Sequence, residues 1–209
     1  VEDGDPDILA AISESIRAMA EGEVLQLTRS FDPEMSESTY LEVIGGKTSS
    51  VLAAASEAGA ILGGVTRSER RAVREYGWLL GLAFQLVDDA LDYSGSERDL
   101  GKAPLTDVAE GKLTLPLIAT LKRCSTGERD AISSLLKDFA LQSAAGRSPD
   151  RESVQRVAEC VERHRGVEST LARAQLLGSQ ARSQIEPFVD CEAKHAMLAL
   201  ADFVVGRQS

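Results

Sequence analysis

The chain has 209 residues, enough for one domain with a sizeable core, and its 33 acidic and 23 basic side chains give a net charge of −10. This charge disfavours nucleic acid and anionic membrane surfaces as partners, so any bound phosphate must meet a local cluster of cations. No run approaches the roughly 20 apolar residues of a membrane-spanning helix. We therefore expect a soluble protein with no membrane span.

The cysteine pattern and the first residue also limit the interpretation. Cys124, Cys160 and Cys191 are widely spaced and odd in number, which fits neither a disulfide framework nor a close-set zinc motif and indicates a reducing cytoplasm. Because the chain begins with Val1 and not with Met, we expect the sequence to be N-terminally incomplete.

Apolar residues recur at three- and four-residue spacings almost throughout, which predicts helices along the whole chain. Helices are expected, in chain order, at residues 6–29, 36–62 with an interruption near Gly45 and Gly46, 69–93, 110–123, 125–141, 149–165, 167–186 and 191–205. Residues 94–107 are polar and are predicted to form a loop that is mobile until ligand binds. We expect an all-α bundle in a single domain spanning residues 1–209.

The helix at residues 69–93 contains acids inside an otherwise apolar segment. Gln85, Asp88, Asp89 and Asp92 are three, four or seven residues apart, so the spacing predicts one polar stripe on the helix. The acids lie near the C-terminal end, where the helix dipole opposes negative charge. Because carboxylates suit a hard ion, the pattern predicts a magnesium site. The alternative is that these acids solvate the helix end.

Two glycine-lysine pairs bracket the predicted loop, Gly101-Lys102 and Gly111-Lys112. A lysine that follows a glycine offers a mobile ammonium group beside open backbone, which is useful for binding phosphate. Each pair by itself is also compatible with a solvated surface lysine.

The sequence resembles the trans-prenyl diphosphate synthase family. Residues 84–92 are similar to that family's second aspartate-rich motif, and residues 111–116 are similar to its glycine-lysine-x-threonine-leucine-proline motif. Gly46-Lys47-Thr48 matches its lysine-threonine pair, and Gly22 and Gln26 fit a weaker upstream pattern. The resemblance implies an isoprenoid-synthase-type helical bundle that condenses an allylic prenyl diphosphate with isopentenyl diphosphate.

The resemblance also implies roles for single residues. Asp88, with Asp89 and Asp92, would hold Mg²⁺ that bridges to the allylic diphosphate. Lys47 and Lys102 would contact that diphosphate.

Thr48 and Gln85 would direct oxygen dipoles at the developing allylic cation. Lys112 would bind phosphate or brace the loop. No catalytic histidine is required, so His164 and His195 are expected to be structural or exposed.

The family's first aspartate-rich motif and the upstream basic residues that bind isopentenyl diphosphate are absent from these residues, so we expect this polypeptide alone to be inactive. The alternatives are a non-catalytic subunit of a heteromeric synthase, a terpene cyclase and a helical regulatory module.

The small residues at positions 49–61 either allow close helix packing or leave room for an isoprenoid tail. The resemblance further implies a homodimer, to which residues 14–27 are candidate contributors.

Overall fold

The structure is a computed structural model that describes residues 4–94 and 104–207, and of Ser94 the backbone alone. Every regular element within these ranges is helical, as the apolar periodicity predicts. The helices are α1 (Pro6–Thr28), α2 (Glu37–Ile44), α3 (Ser50–Leu62), α4 (Arg67–Ser94), α5 (Thr106–Ala109), α6 (Leu115–Arg123), α7 (Thr126–Ala144), α8 (Arg151–Arg163), α9 (Gly166–Ile185) and α10 (Glu192–Gly206), with a π-helical turn (Gly45–Ser49) between α2 and α3. No helix in the described part of the chain is long and apolar enough to cross a membrane.

The described residues form two compact units. The first contains residues 4–24, 41–85 and 173–207, and the second contains residues 25–40, 86–94 and 104–172. α4 is one continuous helix whose residues up to 85 belong to the first unit and whose later residues belong to the second. The expected single domain stays a prediction.

In the first unit, α3 and α4 pack with their backbones in close approach. A Cβ atom at Gly77 would lie 2.5 Å from the carbonyl oxygen of Leu52, and one at Gly81 would lie 2.5 Å from Cα of Ser49. Small residues of α3 are buried in the same unit, namely Ala53, Ala54 and Ala60. These contacts support the packing role of the small residues at positions 49–61.

The core of the second unit is built from the last turns of α4 together with α6, α7 and α8. Its large, fully buried side chains include Leu86, Val87, Leu117, Ile118, Leu136, Phe139, Val157 and Val161. The predicted break at Gly166 is confirmed, since α8 ends at Arg163 and α9 begins at Gly166. A Cβ atom at Gly166 would lie 2.3 Å from the carbonyl oxygen of Pro116, so this glycine permits the start of α9 to approach α6.

The predicted helix at residues 110–123 begins too early. Gly111 has a φ of 79°, a left-handed conformation that ends helical backbone, and α6 begins only at Leu115. The ring of Phe31 occupies the space beside Gly111, with Cε2 2.5 Å from where a Cβ atom would stand. The backbone N–H of Phe31 also donates to the Gly111 carbonyl at 2.8 Å. A long-range contact therefore determines the conformation at Gly111.

The predicted interruption near Gly45 and Gly46 is a change of helix type, because α2 ends at Ile44 and the chain continues through the π turn into α3. A Cβ atom at Gly46 would lie 2.7 Å from the Ala18 carbonyl oxygen, and one at Gly45 would lie 3.0 Å from the ring of Trp78. The glycines therefore serve close approach by α1 and α4 and do not stop the helix.

The predicted loop at residues 94–107 is shorter at its end than expected, because Thr106 and Asp107 form the first turn of α5. Leu105, with a φ of 63°, precedes this turn. Residues 95–103, which include Gly101 and Lys102, lie outside the described residues. The mobility of the loop stays a prediction.

Candidate functional site

The acids of α4 differ in their exposure to solvent. Asp88 is exposed, whereas Asp89 and Asp92 are only 3% and 1% exposed. Asp88 and Asp92 are one turn apart on the same side of α4, and Asp89 lies on the adjoining side. The predicted polar stripe therefore combines one solvent-facing carboxylate with two buried ones.

Asp89 is held by a tyrosine from a distant part of the sequence. The Tyr40 hydroxyl donates to Oδ2 of Asp89 over 2.5 Å, and both side chains are buried. Burial, and then the charge of Asp89, raise the pKa of Tyr40 well above its usual range. Tyr40 therefore remains a hydrogen-bond donor at any physiological pH.

Asp92 joins the end of α4 to the segment that leads into α5. Its side-chain Oδ2 accepts a hydrogen bond from the backbone N–H of Asp107 at 3.2 Å, and its carbonyl accepts one from the Leu105 N–H at 2.9 Å. Burial raises the pKa of Tyr93, and the charges of Asp92, Asp89 and Asp107 add to the shift. The negative charges of these three carboxylates therefore all disfavour ionisation of the Tyr93 hydroxyl.

Sequence reasoning missed Asp107 and Tyr40. Asp107 stands 15 residues after Asp92 and four residues before Gly111, a position that is a weak signal in the sequence. Tyr40 precedes Asp89 by 49 residues and gives no local signal.

Lys112 contacts the acids around α5. Its Nζ lies 3.2 Å from Oδ1 of Asp107 and 2.7 Å from Oε2 of Glu110. Burial alone would lower the pKa of Lys112, but the hydrogen bonds and charges of Glu110 and Asp107 outweigh burial and raise it. These contacts support the bracing role, and diphosphate binding by Lys112 stays a prediction.

The first unit contains the lysine-threonine pair on the π turn. Nζ of Lys47 lies 2.5 Å from Oε2 of Glu23 on α1, and the Thr48 hydroxyl donates to Oε1 of Gln85 on α4 at 3.0 Å. A Cβ atom at Gly22 would lie 3.1 Å from the backbone nitrogen of Lys47, so α1 approaches the π turn closely. Single π turns inside α-helices are frequent at functional sites.

The structure thus brings the predicted residues into two sets. In the first unit Thr48 pairs with Gln85 and Lys47 pairs with Glu23, while the second unit gathers the acids of α4 with Asp107 and Tyr40. Carboxylate oxygens are the ligands that magnesium prefers, so the residues of α4 fit a hard divalent ion. Lys102 falls in the part of the chain that the structure does not describe.

Comparisons with known proteins agree with the resemblance in the motifs. Residues 2–147 match the family described as Polyprenyl synthetase. The octaprenyl diphosphate synthase of Haemophilus influenzae is 36% identical over 200 residues, which is 96% of this chain and 58% of the relative. The short chain isoprenyl diphosphate synthase of Methanothermobacter thermautotrophicus is 34% identical, over 100% of this chain and 62% of the relative. The chain therefore spans about three-fifths of the length of these relatives.

Solved structures show the same helical fold. A polyprenyl synthase from Caulobacter crescentus, complexed with calcium and isoprenyl diphosphate, has a TM-score of 0.90 at 37% identity and covers 100% of this chain and 61% of its own. A decaprenyl diphosphate synthase from Rhodobacter capsulatus has a TM-score of 0.88 at 31% identity, over 98% of this chain and 61% of its own. The predicted isoprenoid-synthase-type fold is confirmed.

Proposed function

Because this chain belongs to the polyprenyl synthetase family, we propose that it forms the diphosphate-binding part of a trans-polyprenyl diphosphate synthase. The proposed reaction condenses an allylic prenyl diphosphate with isopentenyl diphosphate. The allylic C–O bond breaks with its electron pair on the diphosphate, the isopentenyl double bond attacks the allylic carbon, and pyrophosphate accepts the released proton. The observation that carries the proposal is the group of buried and exposed carboxylates on α4.

The ion that suits these carboxylates is Mg²⁺. Asp88 and Asp92 would hold it, since they share one side of α4, and bound magnesium would supply positive charge to the departing diphosphate. The calcium and isoprenyl diphosphate in the Caulobacter relative support a divalent ion beside a diphosphate. Asp89 would be the third carboxylate of the site, oriented by the hydrogen bond that it accepts from Tyr40.

Lys47, Thr48 and Gln85 would supply further contacts to the allylic substrate. Lys47 would bind the diphosphate, in competition with the carboxylate of Glu23 that it contacts in the structure. The hydrogen bond from Thr48 to Gln85 restricts both side chains, and their oxygen dipoles would stabilise the developing allylic cation. Lys102 would add a second ammonium group to the diphosphate.

The test uses the natural full-length protein, because the chain covers about three-fifths of its relatives and is expected to be inactive alone. Asp88→Asn is compared with Asp138→Asn, which changes another exposed aspartate, on α7. Incorporation of labelled isopentenyl diphosphate should fall at least about a hundredfold in the first variant, since transition-state stabilisation of several kcal/mol is lost. Asp138→Asn should retain normal rates. Equal rates in both variants would remove Asp88 from the proposed site.

The same assay separates the competing functions. A synthase makes a longer diphosphate only when isopentenyl diphosphate is present, whereas a terpene cyclase consumes the allylic diphosphate without it. A regulatory module or a non-catalytic subunit would turn over neither substrate by itself. Product analysis with and without isopentenyl diphosphate therefore distinguishes a synthase from a cyclase, and both from a protein without activity of its own.

We also propose that the protein is a homodimer paired through α1. The large apolar side chains of α1 that are exposed, each between 40% and 66%, are Leu9, Ile12, Ile16, Met19, Val24 and Leu27. The first four follow three- and four-residue spacing, which places them on one face of the helix. A second copy would cover this face.

Light scattering of the full-length protein tests the dimer. Ile16→Glu should shift the protein toward monomers, because it adds charge to the apolar face, whereas Leu141→Glu at an exposed position of α7 should not. A monomeric wild-type protein would refute the dimer.

The proposed location is the cytoplasm. In the structure all three cysteines are free thiols, which is compatible with a reducing compartment.

A further inference from the structure

A second group of metal-ligand side chains lies in the second unit and shares no residue with the carboxylates of α4. Glu128 lies in the first turn of α7, while Cys160 and His164 are one turn apart at the end of α8. One ligand atom from each of the three residues lies within 4.8 Å of the other two. Sequence spacing conceals this group, because 32 residues separate Glu128 from Cys160.

We propose that Glu128, Cys160 and His164 form a binding site for a zinc-class divalent ion. A thiolate sulfur, an imidazole nitrogen and a carboxylate oxygen are the ligands that zinc uses, and three protein ligands leave a fourth position for water. A sulfur ligand disfavours magnesium, which prefers oxygen. The two sites would therefore bind different metals.

The distances fit tetrahedral coordination after small side-chain movements. With typical zinc bond lengths, neighbouring ligand atoms of a tetrahedral site lie about 3.4 to 3.6 Å apart. Nε2 of His164 already lies 3.2 Å from Oε2 of Glu128. The Cys160 sulfur lies no more than 4.8 Å from either of the other ligand atoms. It would therefore have to move by about an ångström at most to reach the tetrahedral distance.

The other contacts of Glu128 are compatible with a bound ion. Ser125 donates to Oε2 through its backbone N–H at 3.1 Å and its hydroxyl at 2.9 Å, and Arg163 donates to Oε1 at 2.8 Å. The carboxylate is therefore already fixed in place. An ion would replace the hydrogen bond between His164 and Glu128, and the Ser125 and Arg163 contacts would orient the ligand.

The group is partly open to solvent and connects two helices. Cys160 is 5% exposed, whereas the side chains of His164 and Glu128 are 21% and 29% exposed, so an ion can enter from the solvent side. The ion would join the start of α7 to the end of α8. It would therefore stabilise the second unit without belonging to the proposed catalytic group.

Cobalt is the probe for the test, because a cobalt–thiolate bond gives a charge-transfer band and a tetrahedral site gives intense d–d bands. The full-length protein, freed of metal with a chelator and returned to millimolar magnesium, is titrated with Co²⁺ and then with Zn²⁺. We expect one Co²⁺ per chain, both spectral features, displacement by one Zn²⁺ and a higher melting temperature with Zn²⁺.

Two variants assign the ligands. Cys160→Ser should abolish the charge-transfer band and the thermal stabilisation by Zn²⁺, and His164→Gln should weaken both. Loss of the band without loss of the helical circular dichroism spectrum separates a lost ligand from a lost fold.

Two controls complete the test. Cys191→Ser removes an exposed thiol, and His195→Gln removes a histidine that lies 2.6 Å from Oδ1 of Asp190 in an exposed pair. Both should leave the spectrum unchanged. The absence of a charge-transfer band in the wild type, or its persistence in Cys160→Ser, would overturn the site.

Discussion

Removal of one hydroxyl group tests how Asp89 is held. In Tyr40→Phe the ring stays in the core, but the buried carboxylate of Asp89 loses the donor that lies 2.5 Å away. Hydrogen bonds to charged groups contribute about 1.5 to 3 kcal/mol, so the free energy of unfolding should fall by that amount. The carboxylate should also be less well oriented.

Tyr76→Phe is the matched control. The Tyr76 hydroxyl donates to the backbone carbonyl of Met197 at 2.7 Å, and its side chain is as buried as that of Tyr40. The acceptor is neutral, so the free energy of unfolding should fall by only about 0.5 to 1.5 kcal/mol. The difference between the two variants isolates the effect of the charged acceptor.

Urea unfolding and magnesium titration of the full-length protein measure the two consequences. Tyr40→Phe should lose more stability than Tyr76→Phe, and its magnesium affinity should fall about 10- to 100-fold, as is usual when a group that orients a ligand is lost. Tyr76→Phe should bind magnesium normally. Equal losses of stability in the two variants, or an unchanged magnesium affinity in Tyr40→Phe, would refute this role of Tyr40.

Two further predictions concern stability. Gly77→Ala should lower the free energy of unfolding by about 1 to 3 kcal/mol, because its Cβ atom would lie 2.5 Å from the Leu52 carbonyl oxygen. The control Gly59→Ala places a Cβ atom in open space and should raise the free energy of unfolding by about 0.5 to 1 kcal/mol. Asp150 caps α8 by accepting a hydrogen bond from the Ser153 N–H, which lowers the pKa of Asp150 from its usual value of 3.8. Wild type should therefore be more stable than Asp150→Ala at neutral pH, and this difference, the stability gap, should shrink as the pH falls below 3.8.

Urea unfolding decides both predictions. If the Gly77→Ala protein were as stable as the Gly59→Ala control, the close approach of α3 and α4 at Gly77 would not contribute to the free energy of unfolding. The pH prediction follows from the sign of the shift, since a lowered folded pKa stabilises the fold only while the carboxyl group is ionised. A gap that stays constant from neutral to strongly acidic pH would contradict the capping role of Asp150.

Local patterns predicted much of the fold. The long apolar helix around the α4 acids is confirmed, and the helix expected from residue 125 begins at Thr126 with a capping box between Ser125 and Glu128. Such features depend on residues within one or two turns. The resemblance in a few motifs also predicted the family correctly. Patterns within one or two helical turns were therefore sufficient to predict most of the helices.

Features that depend on contacts distant in sequence could not be predicted. Gly111 ends the helical backbone because of Phe31, and Asp89 is fixed by Tyr40, each far away along the chain. The spacing of the α4 acids indicated their shared side but not that Asp88 alone is exposed. Exposure depends on which neighbours pack against each side of the helix, and helical periodicity does not contain that information.

The π turn at Gly45–Ser49 allows variation in chain length. A π turn places one additional residue in a helix while the flanking segments keep their phase, whereas an insertion into a regular α-helix rotates everything after it by about 100°. Loss of one residue here would leave the inward faces of α2 and α3 unchanged. Deletion of one residue within this turn would thus shift Lys47 and Thr48 relative to the flanking helices while α2 and α3 keep their packing.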